Sequence, residues 1–460
     1  MYIEQLYTSC LAEAAYYIES EGEAVIIDPL RETEPYIALA NKRNAKIKYV
    51  FETHFHADFV SGHIDLAKKT GATIVYGPTA QAGFVIKVAN DGELFSVGKI
   101  KIKVLHTPGH TMESSCFLLI DENGKNNAVF TGDTLFVGDV GRPDLAVKGN
   151  ITMDDLAGML YDSLNKKIKT LEDEVIVYPG HGAGSACGKN IGKETFSTIG
   201  MQKKLNYALQ PMTKEEFVKA VTDGLAAPPK YFFMDAMLNK QGYENIDEVL
   251  NKNTKALSVA EFEAAANNDC IILDTRTPDE YENGTVPNSI NIGLNGQYAP
   301  WVGSLIDARK PLLLIANDGK ETEAVLRLAR VGYENVRGYL AGGINAWRTA
   351  GKKVEITNSL NADEFAKNYK TDNIIDVRNP GEWNSGVIET AKLIALADLE
   401  KEMVVLDKNA HYYVHCAGGY RSMMAASLLK KNGFNNITNV RGGIAKIKEA
   451  GVPTIMPVTA

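Results

Sequence analysis

The second half of the chain contains an internal repeat, and this repeat constrains the fold more than any other feature of the sequence. The segment LDTRTPDEYENGTVPNSINI (273–292) matches IDVRNPGEWNSGVIETAKLI (375–394), and VRGYLAGGINAW matches ITNVRGGIAKI farther on. Each unit opens with a predicted capped helix, at SVAEF and at NADEF, and then alternates strands with helices. This alternation over about a hundred residues is typical of a small parallel α/β domain, so we predict two such domains.

The first 200 residues carry a different pattern, in which short apolar strands alternate with turns and a few helices. KYVFET and TIVYG are typical of buried strands, whereas KIKIKVLHT alternates polar and apolar residues as a half-buried strand does. Residues 200–255 are more helical and are interpreted as the tail of this domain plus a linker. We therefore predict three domains, at residues 1–250, 251–354 and 355–460.

The composition narrows the function classes. The 460 residues are 45% apolar and carry a formal net charge of −8, which argues against nucleic acid as the main partner. No apolar run approaches membrane-spanning length, and the N-terminus lacks the basic start of a signal peptide. Five cysteines in so long a chain suit a reducing compartment, with one or two thiols used as reagents. We expect a cytoplasmic protein that binds neither nucleic acid nor membrane.

Six candidate metal ligands lie in loops that follow apolar strands. They are His54, His56, Asp58, His110, Asp133 and His181. Any one of them alone would be interpreted as a surface or helix-capping residue. Strand ends that face one edge of a sheet can bring all six into a single pocket, and four of them lie in turns flanked by glycine. The pattern therefore predicts a metal site.

The motifs THFHAD, TPGHT, FTGDTLF and YPGHG, in this order, resemble those of the metallo-β-lactamase superfamily over roughly residues 1–200. The resemblance implies an αβ/βα sandwich of two mixed sheets. Two-metal hydrolases of this family, including glyoxalase II, use a T-H-x-H-x-D-H core, whose last position is Phe59 here. GDTLFVGDVGRPDL (132–145) and PGHGAGSACG (179–188) are most similar to the persulfide dioxygenase branch, whose members resemble single-iron enzymes.

This resemblance implies one Fe(II) per chain, with His54, His110 and Asp133 as its ligands. Two imidazoles and one carboxylate leave positions open for O₂ and a substrate sulfur, as in other non-haem iron oxygenases. The remaining candidates, His56, Asp58 and His181, would orient the ligands and hold water. Zinc with three such ligands is chemically possible as well. Phe59 would then remove a second ion that hydrolysis needs and oxygenation does not.

Two further residues near these motifs are candidates for substrate chemistry. Arg142 in GRPD could bind a carboxylate of a thiol carrier such as glutathione or coenzyme A, or it could pair with Asp144 inside its own loop. Cys187, six residues after His181, could exchange sulfur with a persulfide or could be a packed small residue. The other cysteines outside the second repeat, Cys10, Cys116 and Cys270, are interpreted as structural.

The second repeat contains the loop CAGGYRS between a strand and an amphipathic helix. Backbone N–H groups around Cys416, the helix dipole and Arg421 would stabilise an anionic sulfur there. The loop and the flanking motifs resemble the rhodanese sulfurtransferase family, which implies that Cys416 carries the transferred sulfur. Ala417, Gly418, Gly419 and Tyr420 would surround the substrate. A cysteine phosphatase usually has one more residue in this loop, so that rival ranks low.

The first repeat also resembles rhodanese but lacks the thiol. The position of Cys416 corresponds to Ile315, or to Ala316 if the loop shifts, and Lys320 stands near the position of Arg421. This repeat is predicted to be a scaffold or docking module.

Together the motifs favour a persulfide dioxygenase fused to a sulfurtransferase. Its substrates would be a low-molecular-weight thiol persulfide, O₂ and sulfite, with thiosulfate as a product, and a homo-oligomer is common for such enzymes. The first alternative is a glyoxalase II-type thioester hydrolase with accessory rhodanese domains. The second is a binding protein that senses sulfur.

Overall fold

The computed structural model describes residues 1–370 and 373–457, and the chain divides into two compact units. The first unit comprises residues 1–249 together with 328–333, and the second comprises 250–327 and 334–460. The predicted boundary at 250/251 lies one residue from the division between the units. The predicted boundary at 354/355 falls inside the second unit, which holds both repeats, so the division into three domains stays a prediction.

The first unit contains two six-stranded sheets. The first sheet runs in the order β1 (Tyr2–Thr8), β2 (Glu13–Ser20), β3 (Glu23–Ile27), β4 (Lys46–Glu52), β5 (Thr73–Tyr76) and β6 (Lys87–Val88). The second runs in the order β12 (Ser197–Thr198), β11 (Ile176–Pro179), β10 (Asn126–Gly132), β9 (Ser115–Ile120), β8 (Ile100–His106) and β7 (Leu94–Val97). Both sheets are mixed, because β3 to β6 pair in parallel and so do β10 and β11.

The core of the first unit lies between the two sheets. Phe51 of β4 meets Phe117 of β9 with ring centroids 4.8 Å apart, and both rings are fully buried. Helices α1 (Glu34–Lys42) and α2 (His63–Thr70) bury apolar side chains against the outer face of the first sheet. Helices α3 (Met153–Ser163) and α5 (Lys214–Thr222) cover the second. The layers therefore form the αβ/βα sandwich that the motifs predicted.

The helical extension predicted at 200–255 is present. It consists of α4 (Ile199–Leu205), a 3₁₀ turn (Tyr207–Leu209), α5, α6 (Phe232–Gln241) and α7 (Ile246–Asn253), and a π-helical turn (Leu164–Ile168) extends α3. A capping box starts α5, since the hydroxyl of Thr213 accepts from the N–H of Glu216. In the part of the chain that the structure describes, no helix combines the length and apolarity needed to cross a membrane.

The second unit contains one five-stranded parallel sheet for each repeat. The first has the order β13 (Ala256–Leu257), β17 (Val336–Leu340), β16 (Leu312–Ile315), β14 (Ile271–Asp274) and β15 (Ile290–Asn291). The second has the order β18 (Asn358–Leu360), β22 (Ile437–Val440), β21 (Tyr412–His415), β19 (Ile374–Asp376) and β20 (Ala391–Leu393). The same strand order in both sheets shows that the two repeats share one parallel α/β fold.

Helices connect the strands of each repeat. In the first repeat they are α8 (Val259–Ala266), α9 (Pro278–Glu282), α10 (Tyr298–Leu305), α11 (Glu321–Ala329) and α12 (Gly343–Thr349). In the second they are α13 (Ala362–Phe365), α14 (Pro380–Trp383), α15 (Leu399–Glu402), α16 (Tyr420–Lys431) and α17 (Gly443–Glu449), with 3₁₀ turns at Leu396–Asp398 and Met403–Val405. The capping boxes predicted at Ser258 and Asn361 are both present.

Candidate metal centre and thiol pocket

The six candidate ligands come from four strand ends of the first unit. His54, His56 and Asp58 follow β4, His110 lies between β8 and β9, Asp133 follows β10, and His181 follows β11. All six side chains are buried. They form two groups whose ligand atoms lie within 4.8 Å of one another: cluster one is His54, His110 and Asp133, and cluster two is His56, Asp58 and His181. The sequence prediction that strand ends bring these residues together is thus met.

Hydrogen bonds fix the tautomers of the two histidines of cluster one. The hydroxyl of Thr53 donates to Asp28 Oδ2 at 2.8 Å, so at 3.0 Å it accepts from Nδ1 of His54. Nδ1 of His110 donates to the backbone carbonyl of Arg142 at 2.8 Å. In the neutral form of both imidazoles, Nε2 is therefore the nitrogen with the lone pair, which is the form that binds a metal.

These lone pairs face a carboxylate. Nε2 of His110 lies 3.4 Å and Nε2 of His54 lies 3.9 Å from Oδ2 of Asp133. Neither carboxylate oxygen of Asp133 makes a hydrogen bond within the described chain, nor does Nε2 of His54. Burial lowers the pKa of His54 well below its usual value, and His56 and His110 lower it further, so the ring is neutral. Electron pairs that converge without a proton between them fit a cation.

Cluster two lies beside Asp133 of cluster one. Nε2 of His181 lies 3.2 Å from Oδ2 of Asp58 and 3.5 Å from Oδ1 of Asp133. Burial raises the pKa of Asp58. The ring of Phe59 is fully buried and packs on His56, with centroids 4.3 Å apart. At this position the chain therefore offers cluster two an apolar ring in place of a ligand.

Side chains outside the motifs hold the histidine loop in place. Nδ2 of Asn239 in α6 donates to the carbonyls of His56 and Phe59 at 2.7 Å each, and its Oδ1 accepts from the N–H of Ser61 at 2.8 Å. Oδ1 of Asp28 lies 3.1 Å from Nε2 of His56. Sequence reasoning missed both residues. Asp28 had a signal, since it ends the apolar strand AVII, whereas Asn239 stands in an ordinary helix.

Arg142 makes the pairing inside its own loop. Its Nε and Nη2 donate to the two oxygens of Asp144 at 2.6 and 2.7 Å, and Nη1 and Nη2 donate to the carbonyls of Ala186 and Ala226. The side chain is 4% exposed, and its backbone carbonyl orients His110. A direct contact between Arg142 and a carrier carboxylate stays a prediction, whereas a structural role in holding the ligand loop is observed.

Cys187 is buried beside both clusters. Its sulfur lies within 4.8 Å of ligand atoms of Asp133 and His181. Burial raises the pKa of the thiol well above its ordinary value, and the carboxylates of Asp58 and Asp133 raise it further. Cys116 is buried in β9 and Cys10 is half-buried, and neither belongs to a group of candidate ligands among the described residues. Whether Cys187 exchanges sulfur with a persulfide or is a packed small residue stays a prediction.

In the second unit, Cys416 lies between the end of β21 and the start of α16. The N–H of Gly419 donates to its sulfur at 3.1 Å, and Gly419 adopts φ of +105°, which favours glycine. Cys416 is 1% exposed, yet it lines a cavity of about 520 Å³ together with Gly418, Tyr420 and Arg421. The guanidinium of Arg421 makes two contacts with Glu382, at 2.5 and 2.7 Å, which lower the pKa of that carboxylate.

Sheet register identifies the counterpart of Cys416 in the first repeat. Ile315 is the partner of Asp274 in the first sheet, as His415 is the partner of Asp376 in the second. The next residue is Ala316 in one repeat and Cys416 in the other. The structure therefore selects Ala316 over Ile315, and a methyl group stands where the second repeat has its thiol.

Comparison with known proteins agrees with both units. The Metallo-beta-lactamase superfamily pattern matches residues 9–181, and the Rhodanese-like domain pattern matches residues 258–350 and 361–450. The human mitochondrial persulfide dioxygenase ETHE1 is 32% identical over 43% of this chain and 70% of its own. The cytoplasmic hydroxyacylglutathione hydrolase of Arabidopsis thaliana is 34% identical over 37% of this chain and 65% of its own.

The chain spans 60% to 67% of the length of the first hydroxyacylglutathione hydrolases that it matches. A crystal structure of a metallo-beta-lactamase from Staphylococcus aureus subsp. aureus COL is similar with a TM-score of 0.66 and 30% identity. The similarity covers 74% of this chain and 98% of the Staphylococcus chain. Relatives of two enzyme types are thus about equally similar in sequence.

Proposed function

Because the chain belongs to the metallo-β-lactamase superfamily and continues into two rhodanese-like domains, we propose that it is an iron-dependent persulfide dioxygenase with sulfurtransferase activity. Its first unit would convert a thiol persulfide, O₂ and water into the free thiol and sulfite. Its second unit would transfer sulfane sulfur through Cys416. The single observation that carries the proposal is cluster one, complete beside a cluster two that has lost a ligand to Phe59.

The residues of cluster one fit a ferrous ion. His54, His110 and Asp133 would hold it, and the bound ion would supply the one-electron chemistry that O₂ activation requires. The hydroxyl of Thr53 and the carbonyl of Arg142 accept from Nδ1 of the two imidazoles, so the rings are turned with Nε2 toward Asp133. Asn239 prevents the histidine loop from shifting. Burial of all these groups excludes bulk water from the reacting atoms.

Sulfur transfer through Cys416 would take two displacement steps. The thiolate of Cys416 would attack the sulfane sulfur of a persulfide, form a cysteine persulfide and release the carrier thiolate. Sulfite would then attack the outer sulfur, so that thiosulfate leaves and the Cys416 thiolate returns. The N–H of Gly419 and the N-terminal turn of the twelve-residue helix α16 would stabilise the anionic sulfur in both steps.

The test is oxygen uptake by the full chain after anaerobic loading with Fe(II). With glutathione persulfide we expect consumption of one O₂ per persulfide and formation of sulfite, with about one iron per chain. Hydrolysis of S-lactoylglutathione without oxygen uptake would contradict the proposal. That result would favour a glyoxalase II-type hydrolase. The proximity of His56, Asp58 and His181 supports this alternative, because they could hold a second ion.

Phe59→His tests whether the apolar ring at position 59 is the reason that the chain binds one metal ion and not two. The new imidazole would join cluster two, so zinc bound after reconstitution with zinc should rise from about one to about two ions per chain. Metal analysis after gel filtration measures this. Phe55→His is the matched control, because the ring of Phe55 stacks on Tyr76 at 4.4 Å and should add no ion. Two tightly bound zinc ions in the unaltered protein would contradict the single-metal proposal.

A further inference from the structure

The cavity beside Cys416 is built from both repeats. Asn295, Gln297 and Trp301 of the first repeat line it together with Asn379 and Arg421 of the second. Its volume of about 520 Å³ is far larger than sulfite or thiosulfate requires, and it falls in the range typical of small-molecule sites. The repeat without a thiol therefore supplies part of the surface on which the transfer partner must bind.

The first repeat is shaped to receive the thiol loop. The hydroxyl of Tyr420 donates to the carbonyl of Gly293 at 2.6 Å. A Cβ at position 296 would lie 2.5 Å from the Tyr420 ring, a distance that no side chain tolerates. Glycine at position 296 therefore leaves the space that the Tyr420 ring occupies. The contact fixes the position of the Cys416 loop against the segment that forms the opposite wall.

That wall is itself held rigid. Nη1 of Arg327 donates to the carbonyl of Leu294 at 2.6 Å, and Nη2 donates to the carbonyl of Gly296 at 2.9 Å. The Arg327 side chain is only 8% exposed. These two charge-assisted hydrogen bonds, to carbonyls on either side of Asn295, keep Asn295 and Gln297 in place. The wall is therefore preorganised for a ligand.

The lining chemistry indicates what the cavity binds. Three carboxamides, on Asn295, Gln297 and Asn379, each offer both a donor and an acceptor. The indole of Trp301 offers an apolar face, and Arg421 offers the N–H groups of its guanidinium that Glu382 does not occupy. A chain of amide groups that carries a negative charge matches all of these groups, whereas cyanide or sulfite could use only the guanidinium.

We propose that the first repeat binds the carrier that exchanges sulfur with Cys416, and that this carrier is a thiol at the end of an amide-containing, anionic chain. Glutathione and coenzyme A share this chemistry. The inference rests on the proposed sulfur transfer and names the substrate class of that site. In the step concerned, the carrier thiolate attacks the outer sulfur of the Cys416 persulfide, the S–S bond breaks, and the carrier leaves as a persulfide while Cys416 leaves as a thiolate.

The experiment compares four acceptors with the full chain, using thiosulfate as the sulfur donor. The acceptors are glutathione, coenzyme A, 2-mercaptoethanol and cyanide. Trp301→Ala should raise the KM for glutathione or coenzyme A about tenfold relative to the KM for cyanide, because a buried aromatic contact is lost only for the larger ligand. Trp301→Phe should recover most of this loss. The carrier with the larger relative change is the one that the cavity selects.

Asn295→Ala and Asn345→Ala form a matched pair. Both asparagines are exposed and belong to the first repeat, but Asn345 lines a different cavity, of about 460 Å³. Asn295→Ala should raise the KM for the amide-containing carrier about threefold, and Asn345→Ala should leave it unchanged. Equal changes for all four acceptors, no change in Trp301→Ala, or a larger effect of Asn345→Ala would overturn the inference. Failure of the unaltered protein to transfer sulfur even to cyanide would overturn the proposed function itself.

Discussion

His110→Ala will abolish oxygen uptake with glutathione persulfide and will release the iron, whereas His181→Ala will keep most of the iron. His110 belongs to cluster one, where its Nε2 lone pair faces Asp133 at 3.4 Å. Removal of a residue that only supports a ligand typically lowers metal affinity or activity about 10–100-fold. Removal of the ligand itself should therefore lower both by more than about 100-fold. His181→Ala removes a supporting group, so we expect the rate of oxygen uptake to fall about 10–100-fold.

Iron content and oxygen consumption are measured on the same anaerobically loaded samples. Asp154→Ala serves as the control, since this aspartate is exposed at the start of α3 and should have no effect. The comparison of the two histidines separates the proposals. Equal metal loss in His110→Ala and His181→Ala would mean that both clusters hold ions, and it would contradict a single-iron enzyme.

Cys416→Ser will lower the rate of sulfur transfer from thiosulfate to cyanide by more than about 1,000-fold. A serine hydroxyl cannot form the persulfide that carries the sulfur, and removal of a covalent nucleophile has effects of this size or larger. During oxidation of glutathione persulfide, sulfite should accumulate where the unaltered protein forms thiosulfate. Stopped assays that quantify sulfite and thiosulfate by derivatisation measure both effects.

Cys270→Ser is the matched control for this substitution. Cys270 is a half-buried thiol in the first repeat, just before β14, and no role in transfer is expected of it. Full thiosulfate formation by Cys416→Ser would contradict the assignment of sulfur transfer to the second repeat. It would leave Cys187, beside cluster one, as the thiol to examine.

Residues that belong to contiguous motifs were predictable from the sequence. His54, His110 and Asp133 stand directly after apolar strands, and parallel strand ends meet at one edge, so their convergence follows from local pattern alone. The alternation of strands and helices predicted the parallel α/β fold of each repeat, whereas the αβ/βα sandwich of the first unit was implied by the resemblance of its motifs to the metallo-β-lactamase superfamily. The repeat added a second constraint, because two segments of similar pattern fold alike.

Other residues of the sites could not be found in this way. Asn239 reaches the histidine loop from a helix more than 180 positions away, and Trp301 reaches the Cys416 cavity from the other repeat. Neither residue type nor spacing marks them, since only the tertiary fold brings them near. The choice between Ile315 and Ala316 likewise required the sheet register. Arg142 had two chemically equal partners in the sequence, and only the geometry selects Asp144.

The contact of Tyr420 with Gly293 and Gly296 limits which substitutions the repeat without a thiol can accept. Gly293 and Gly296 accommodate a ring that lies 127 positions after the first of them, so any larger residue at 296 would displace that ring. The repeat without a thiol is therefore still constrained by the loop that carries one. The loop of the first repeat that contains Gly293 and Gly296 fits the Tyr420 ring of the second repeat. The two repeats must therefore be redesigned, exchanged or excised together.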